Sequence, residues 1–392
     1  MKKSLINGKI IAGGKILEGK VLVLDGGKIE GIADCAPADS ETLDCRGNYV
    51  SPGFIDMHTH GAGGCDFMDG TVEAFLTAAR MHATHGTTLL YPTTLTSTNE
   101  LLFASFETYQ KAKSLNREGA QFGGMHLEGP YFSPKYAGAQ DPRYLRNPRK
   151  EEYLEILDRC PAIARWSFAP ELEGADEFVA ELHKRGIVAS IGHTDATFGD
   201  CEKAFKAGAT MMTHFYSCMS TISRRNAYRY AGVIEFGYYE DGMNIEIIAD
   251  GIHVPKDLLH LVLKIKGTDR ISLVTDSMRA AGMPEGPSVL GGLADGQEVI
   301  VEDGVAKLLD RSAFAGSVAT TDRLVRTMTS IAGCSIPEAV KMMSENPARI
   351  MGVFASKGSL EAGKDADVVV FDENINISKT IIGGRVIFEN KD

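Results

Sequence analysis

The sequence lacks any C-x-x-C pair; its seven cysteines, Cys35, Cys45, Cys65, Cys160, Cys201, Cys218 and Cys334, are odd in number and scattered. This spacing speaks against a disulfide framework and favours a reduced, cytoplasmic compartment. No apolar run approaches the roughly 18 residues of a membrane span. Nor do Lys2 and Lys3 open a signal peptide, because Asn7, Gly8 and Lys9 interrupt any apolar core behind them. Basic excess is missing as well: the formal net charge of -11 argues against a nucleic-acid binder, which would show a basic face. An anionic small substrate stays possible, provided that it meets a local basic pocket. No G-x-G-x-x-G follows the first strand of the central region, which argues against a dinucleotide-binding open sheet.

What is present is a β-rich segment at each end and an alternating middle. Residues 15–30 alternate in part around Asp25-Gly26-Gly27, a strong hairpin signal. Residues 366–372 and 383–389 have the same strand character. The expectation is one small β-sandwich domain built from both termini, residues 1–52 and 354–392. In between, eight apolar strand-like runs (49–57, 88–92, 122–127, 163–169, 187–191, 210–213, 244–249 and 271–275) alternate with amphipathic stretches that include 71–85, 99–115, 175–185 and 198–207. Eight such units predict an α/β fold, a (β/α)8 TIM-like barrel over residues 53–353.

The chemistry starts at Phe54-Ile55-Asp56-Met57-His58-Thr59-His60. On a strand, residues two apart face the same side, so His58 and His60 can aim two imidazoles at one point. One His-x-His is common by chance; what lends it weight is the placing of other polar residues. Glu128 ends the third run, His193 the fifth, His214 the sixth and Asp276 the eighth, while His253 follows the seventh. In a barrel these strand ends converge on the active site. Four histidines and two carboxylates suit zinc, iron(II), manganese or cobalt. Such an ion lowers the pKa of water to about 7 and polarises a carbonyl. Asp276 would then carry the proton from water to a leaving amine, and His253 would hydrogen-bond the carbonyl oxygen. The expected reaction is metal-assisted hydrolysis of an amide.

Five stretches carry a resemblance to a known family: residues 52–61, His126-Leu127-Glu128-Gly129-Pro130-Tyr131, Gly192-His193-Thr194-Asp195-Ala196, Asp250-Gly251-Ile252-His253 and Thr275-Asp276-Ser277-Met278. With Asn346-Pro347-Ala348-Arg349 and residues 357–367 they span nearly the whole chain. The sequence resembles the amidohydrolase superfamily, and within it the deacetylases of phosphorylated amino sugars. Many amidohydrolases carry a carboxylated lysine at the end of strand four; residues 165–171 hold no lysine. The resemblance implies metal ligation by Glu128, His193 and His214, with His58 and His60 available for a second ion and Asp276 as acid/base. One or two divalent ions, zinc foremost, are thus the expected cofactor. It implies removal of the acetyl group from N-acetylglucosamine 6-phosphate, with the galactosamine epimer or another acylated amino sugar as the alternative and a non-catalytic scaffold as a remote one. Substrate contacts are implied at Ala139, Gln140, Ser217, Cys218, Arg225, His253, Phe314, Ala315 and Gly316. An arginine near Arg225 commonly reaches the phosphate from the partner subunit, so a homodimer is expected; Arg224 and Arg229 compete for that role. Three departures fall in the sugar-phosphate pocket: Gln140 for a usual histidine, Ser217-Cys218 for Asn-Ala, and residues 226–231 for a shorter link.

Overall fold

The computed structural model describes residues 2–390, apart from the side chain of Arg225. Its centre is a ring of eight parallel strands in chain order: β1 Phe54–Thr59, β2 Thr87–Thr94, β3 Met125–Glu128, β4 Ile163–Phe168, β5 Val188–Ile191, β6 Met211–Met212, β7 Asn244–Ile247 and β8 Ile271–Leu273. Each pairs in parallel with the next. The ring closes just past the end of β8. There the Asp276 N–H donates to the His58 carbonyl (2.9 Å) and the His60 N–H to the Ser277 carbonyl (2.8 Å). The fold is therefore a (β/α)8 barrel.

The helices lie where the apolar periodicity places them. Val72–Thr84, Asn99–Leu115, Ala175–Lys184 and Phe198–Ala207 each start and stop within a residue or so of the sequence expectation. The last opens on a reciprocal Thr197/Asp200 cap and stops at Gly208, whose φ of 118° no ordinary side chain accepts readily. Their apolar faces bury aromatic layers against the strands, with Tyr131 stacked on Trp166 at 5.5 Å and Phe178 edge-on to the Trp166 ring.

Two expected strands are each in fact two; the run 122–127 divides at Gly123-Gly124 into Gln121–Phe122 and Met125–Glu128. The run 49–57 breaks at Gly53, so that Tyr49–Pro52 belongs to an outer sheet and only Phe54–Thr59 to the barrel. A Cβ on Gly53 would lie 2.1 Å from Thr88 Oγ1, so the backbone changes sheets where a side chain cannot fit. The outer sheet has six strands and draws on both ends of the chain, with Val368–Phe371 antiparallel to Tyr49–Pro52. A four-stranded sheet from residues 3–44 faces it; Leu5, Leu22, Leu24 and Ile29 share one apolar cluster with Val50, Val368, Val370 and Ile381. Here the Gly26-Gly27 hairpin forms as expected, in the two-residue loop between Asp25 and Lys28.

A three-stranded antiparallel sheet, Gly286–Leu290, Gln297–Glu302 and Val305–Leu308, follows β8. Sequence reading assigned it no element. It packs Leu290, Val299, Val301 and Ala306 against Met278 and Ala315, beside the carboxyl ends of the barrel strands.

Candidate metal centre and active site

Strand ends deliver the ligands. His58 and His60 leave β1 on one face, Glu128 is the last residue of β3, and His193, His214 and Asp276 each lie two or three residues beyond β5, β6 and β8. All six are buried. His193, His214 and Asp276 have φ of 47°, 27° and 48°, a left-handed conformation that is uncommon outside glycine. Three such residues at three strand ends mark a site where backbone strain is retained for side-chain aim.

The side chains fall into two groups that share one carboxylate. Glu128 Oε1 lies 3.3 Å from His193 Nε2 and 3.0 Å from His214 Nε2, and those two nitrogens are 3.0 Å apart. Glu128 Oε2 lies 3.3 Å from His60 Nε2, and Oε1 lies 3.5 Å from His58 Nε2. Asp276 Oδ1 completes this side at 3.2 Å and 3.1 Å from the His58 and His60 Nε2 atoms.

These contacts fit a divalent ion. A tetrahedron built on metal–ligand bonds of about 2.0–2.1 Å has edges of about 3.3 Å, close to the spacing within the Glu128, His193 and His214 triad. The nitrogens also present lone pairs inward. His193 Nδ1 donates to the Tyr136 carbonyl at 3.0 Å, and His58 Nδ1 donates to Glu246 Oε1 at 2.8 Å, which leaves each Nε2 for the centre. His58 Nε2 is a buried atom with no hydrogen-bond partner among the described residues. Burial opposes a charge on His58 and His60, yet Asp276 and Glu128, with Glu246 beside His58, outweigh it and raise them to about 9 and about 10. The carboxylates therefore favour positive charge at these nitrogens. Glu128 is driven well below the usual carboxylate range against its burial by the surrounding histidines, and Asp276 is lowered for the same reason.

Above the cluster opens a cavity of about 320 Å³. His253 is on its wall; its Nδ1 donates to Asp250 Oδ2 at 2.8 Å, leaving Nε2 available to the cavity. Asp250 is held below the usual carboxylate range by that bond, its burial notwithstanding. Ala139, Gln140, Ser217, Cys218, Phe314 and Gly316 also line the cavity, whereas Ala315 is fully buried behind it and not on the wall. Among the described residues the lining contains no lysine or arginine. The side chain of Arg225, the expected phosphate contact, lies outside the described residues; its backbone is in the exposed hairpin Ser223–Arg225/Tyr228–Tyr230. On that hairpin Arg224 is directly opposite Arg229. Like charges in register destabilise a hairpin unless an anion lies between them.

Two features escaped sequence reading. Gln140 does not simply face the cavity: its Nε2 donates to Glu128 Oε2 at 2.7 Å while its Oε1 accepts from the Thr96 N–H at 2.8 Å, so it braces a ligand. Glu246 and Arg165, mid-strand on β7 and β4, meet inside the barrel beneath His58. The only signal for them was a charged residue within an otherwise apolar strand run.

Known proteins resemble this chain in sequence and fold over nearly their whole length. The amidohydrolase family profile matches residues 49–387. The N-acetylglucosamine-6-phosphate deacetylase of Lysinibacillus sphaericus is 35% identical over 373 residues, covering 92% of this chain and 91% of its own. The crystal structure of N-acetylglucosamine-6-phosphate deacetylase from Pasteurella multocida superposes with a TM-score of 0.92 at 29% identity over 100% of both chains. A point mutant of the Mycobacterium smegmatis N-acetyl-D-glucosamine-6-phosphate deacetylase, in complex with N-acetyl-D-glucosamine-6-phosphate, gives 0.89 at 29% identity over 99% of both chains. This chain therefore belongs to the amidohydrolase family, whose chemistry is divalent-metal dependent.

Proposed function

We propose that the protein removes the acetyl group of N-acetylglucosamine 6-phosphate, yielding glucosamine 6-phosphate and acetate in amino-sugar catabolism. The observation that carries this reading is the one carboxylate, Glu128, shared by two histidine pairs at the floor of a cavity walled by Asp276 and His253. Zinc, one or two ions per subunit, is the proposed metal; held by Glu128, His193 and His214, with His58 and His60 for a second, it would polarise the acetyl carbonyl and acidify water. Asp276 takes the proton of the attacking water and passes it to the departing amine. His253, its Nδ1 fixed on Asp250, presents Nε2 to hydrogen-bond the carbonyl oxygen as negative charge develops there. Gln140, with Glu128 and Thr96 already on its amide, has one N–H left to offer a sugar hydroxyl.

A cavity without a described cation needs one for a 6-phosphate, and the hairpin at 223–230 supplies candidates. We assign that role to Arg225 from the second subunit of a cytoplasmic homodimer, with Arg224 and Arg229 flanking it. We further assign residues 53–353 to the catalytic barrel and residues 1–52 with 354–392 to a separate small β domain.

Acetate release from metal-loaded protein tests the reaction: it is expected with the 6-phosphorylated sugar, to stop with a chelator and to resume on adding zinc. Absence of release from either epimer of the phosphorylated sugar would overturn the assignment. Arg225→Ala is expected to raise KM for the phosphorylated sugar far more than for its unphosphorylated analogue, because guanidinium–phosphate pairing is charge-assisted and bidentate. Equal losses on both would remove Arg225 from the phosphate site.

Ser217 is shorter than the usual asparagine, and Gln140 is committed largely to Glu128. Discrimination at the sugar hydroxyls is therefore expected to be weak, since a site that loses a hydrogen-bond partner loses selectivity with it. The ratio of kcat/KM between gluco and galacto epimers is expected to widen in Gln140→His/Ser217→Asn. A wild-type ratio already of the order of a thousand or more would contradict this.

A further inference from the structure

We infer that Glu246, held in place by Arg165, is a positioning residue that fixes one ligand of each half of the metal centre. Its Oε1 accepts from His58 Nδ1 at 2.8 Å and from the backbone N–H of His214 at 2.8 Å. Its Oε2 accepts from Arg165 Nη1, while Arg165 Nη2 reaches Ser190 Oγ at 3.0 Å and Thr213 Oγ1 at 3.1 Å. Both charged side chains have no exposed surface. One carboxylate oxygen thus sets the ring of a residue on β1 and the main chain of a residue beyond β6. The first bond leaves the His58 lone pair on Nε2, toward Glu128 and Asp276; the second holds His214 in its left-handed turn at φ 27°.

Stability does not account for such a pair. A buried ion pair replaced by apolar residues of similar size commonly leaves a protein as stable as before, or more so. What apolar residues cannot do is accept the two N–H groups. Outer partners of metal ligands are worth about 10–100-fold in affinity for that reason.

The inference rests on the metal-centre reading of the site and not on the choice of substrate, so its test uses zinc alone. Two double variants remove the ion pair: Arg165→Met/Glu246→Leu has no acceptor, and Arg165→Met/Glu246→Gln keeps one. Zinc affinity is measured by chelator competition without substrate, alongside thermal melting. The leucine variant is expected to melt near the wild type and bind zinc about 10–100-fold more weakly, and the glutamine variant to recover at least roughly tenfold of that loss. If the leucine variant does not fold, Glu246→Asp, which keeps the charge and shortens the reach, takes its place under the same tenfold criterion. Wild-type affinity in the leucine variant, or equal loss in both double variants, overturns the inference. If the wild type takes up no zinc, the metal-centre reading fails first and this inference falls with it.

Discussion

Asp276→Asn is expected to keep its fold and its metal while turnover falls by roughly 10²–10⁴-fold, the usual contribution of a general acid/base. Two backbone bonds anchor this position whatever the side chain: its N–H donates to the His58 carbonyl, and its carbonyl accepts from the Ser317 N–H at 2.7 Å. Asparagine is also among the side chains that tolerate a φ of 48°. The substitution therefore removes the proton carrier with little else. Burial disfavours ionisation of Asp276, but His58 and His60 at 3.2 Å and 3.1 Å hold its carboxyl below the usual range, so in the wild type it is ready to accept. Single-turnover acetate release and metal content, measured on the same preparation, check both halves. Near-normal turnover would take the acid/base role away from Asp276.

His193→Ala should lose metal and activity together. It deletes one of three close ligands, so the loss of affinity is expected to exceed the roughly 10–100-fold that an outer partner is worth. Alanine at a φ of 47° adds a backbone penalty of its own, and the ring's 4.4 Å stacking on Phe132 disappears as well. His193→Asn is the control for the backbone part, because asparagine accepts that conformation but is too short to replace Nε2. Both variants are expected to emerge from dialysis depleted of metal, as read by elemental analysis. Full retention of metal by the asparagine variant would mean that His193 is not a ligand.

The barrel was legible because buried parallel strands write themselves as apolar runs, and amphipathic helices as steps of three and four. His58 and His60 were legible through the two-residue period of a strand, and Glu128, His193, His214 and Asp276 through polar residues placed at strand ends. The structure brings all six within hydrogen-bond or ion-pair distance of a neighbour in the cluster. Glu246 was not legible: an inward glutamate on β7 needs a partner, and Arg165 lies 81 positions away. Gln140 was read only as facing the substrate, because the bonds that turn its amide onto Glu128 come from Thr96 and β3, neither adjacent in sequence. The break at Gly53 was legible but not used. Ser51-Pro52-Gly53 interrupts the run 49–57 with a turn signal, and the packing of Thr88 against Gly53 shows that two sheets divide there.

The seam that closes the ring joins the first and last strands of the barrel. Thr275 and His58 touch across 217 positions, and contacts of that span form late because so much chain must first be brought together. Glu128, His193 and His214 all precede that seam. They stand at or just past the ends of β3, β5 and β6, whereas Asp276 is held beside them by the backbone bond that joins the chain beyond β8 to β1. The same closure that completes the ring thus also completes the cluster.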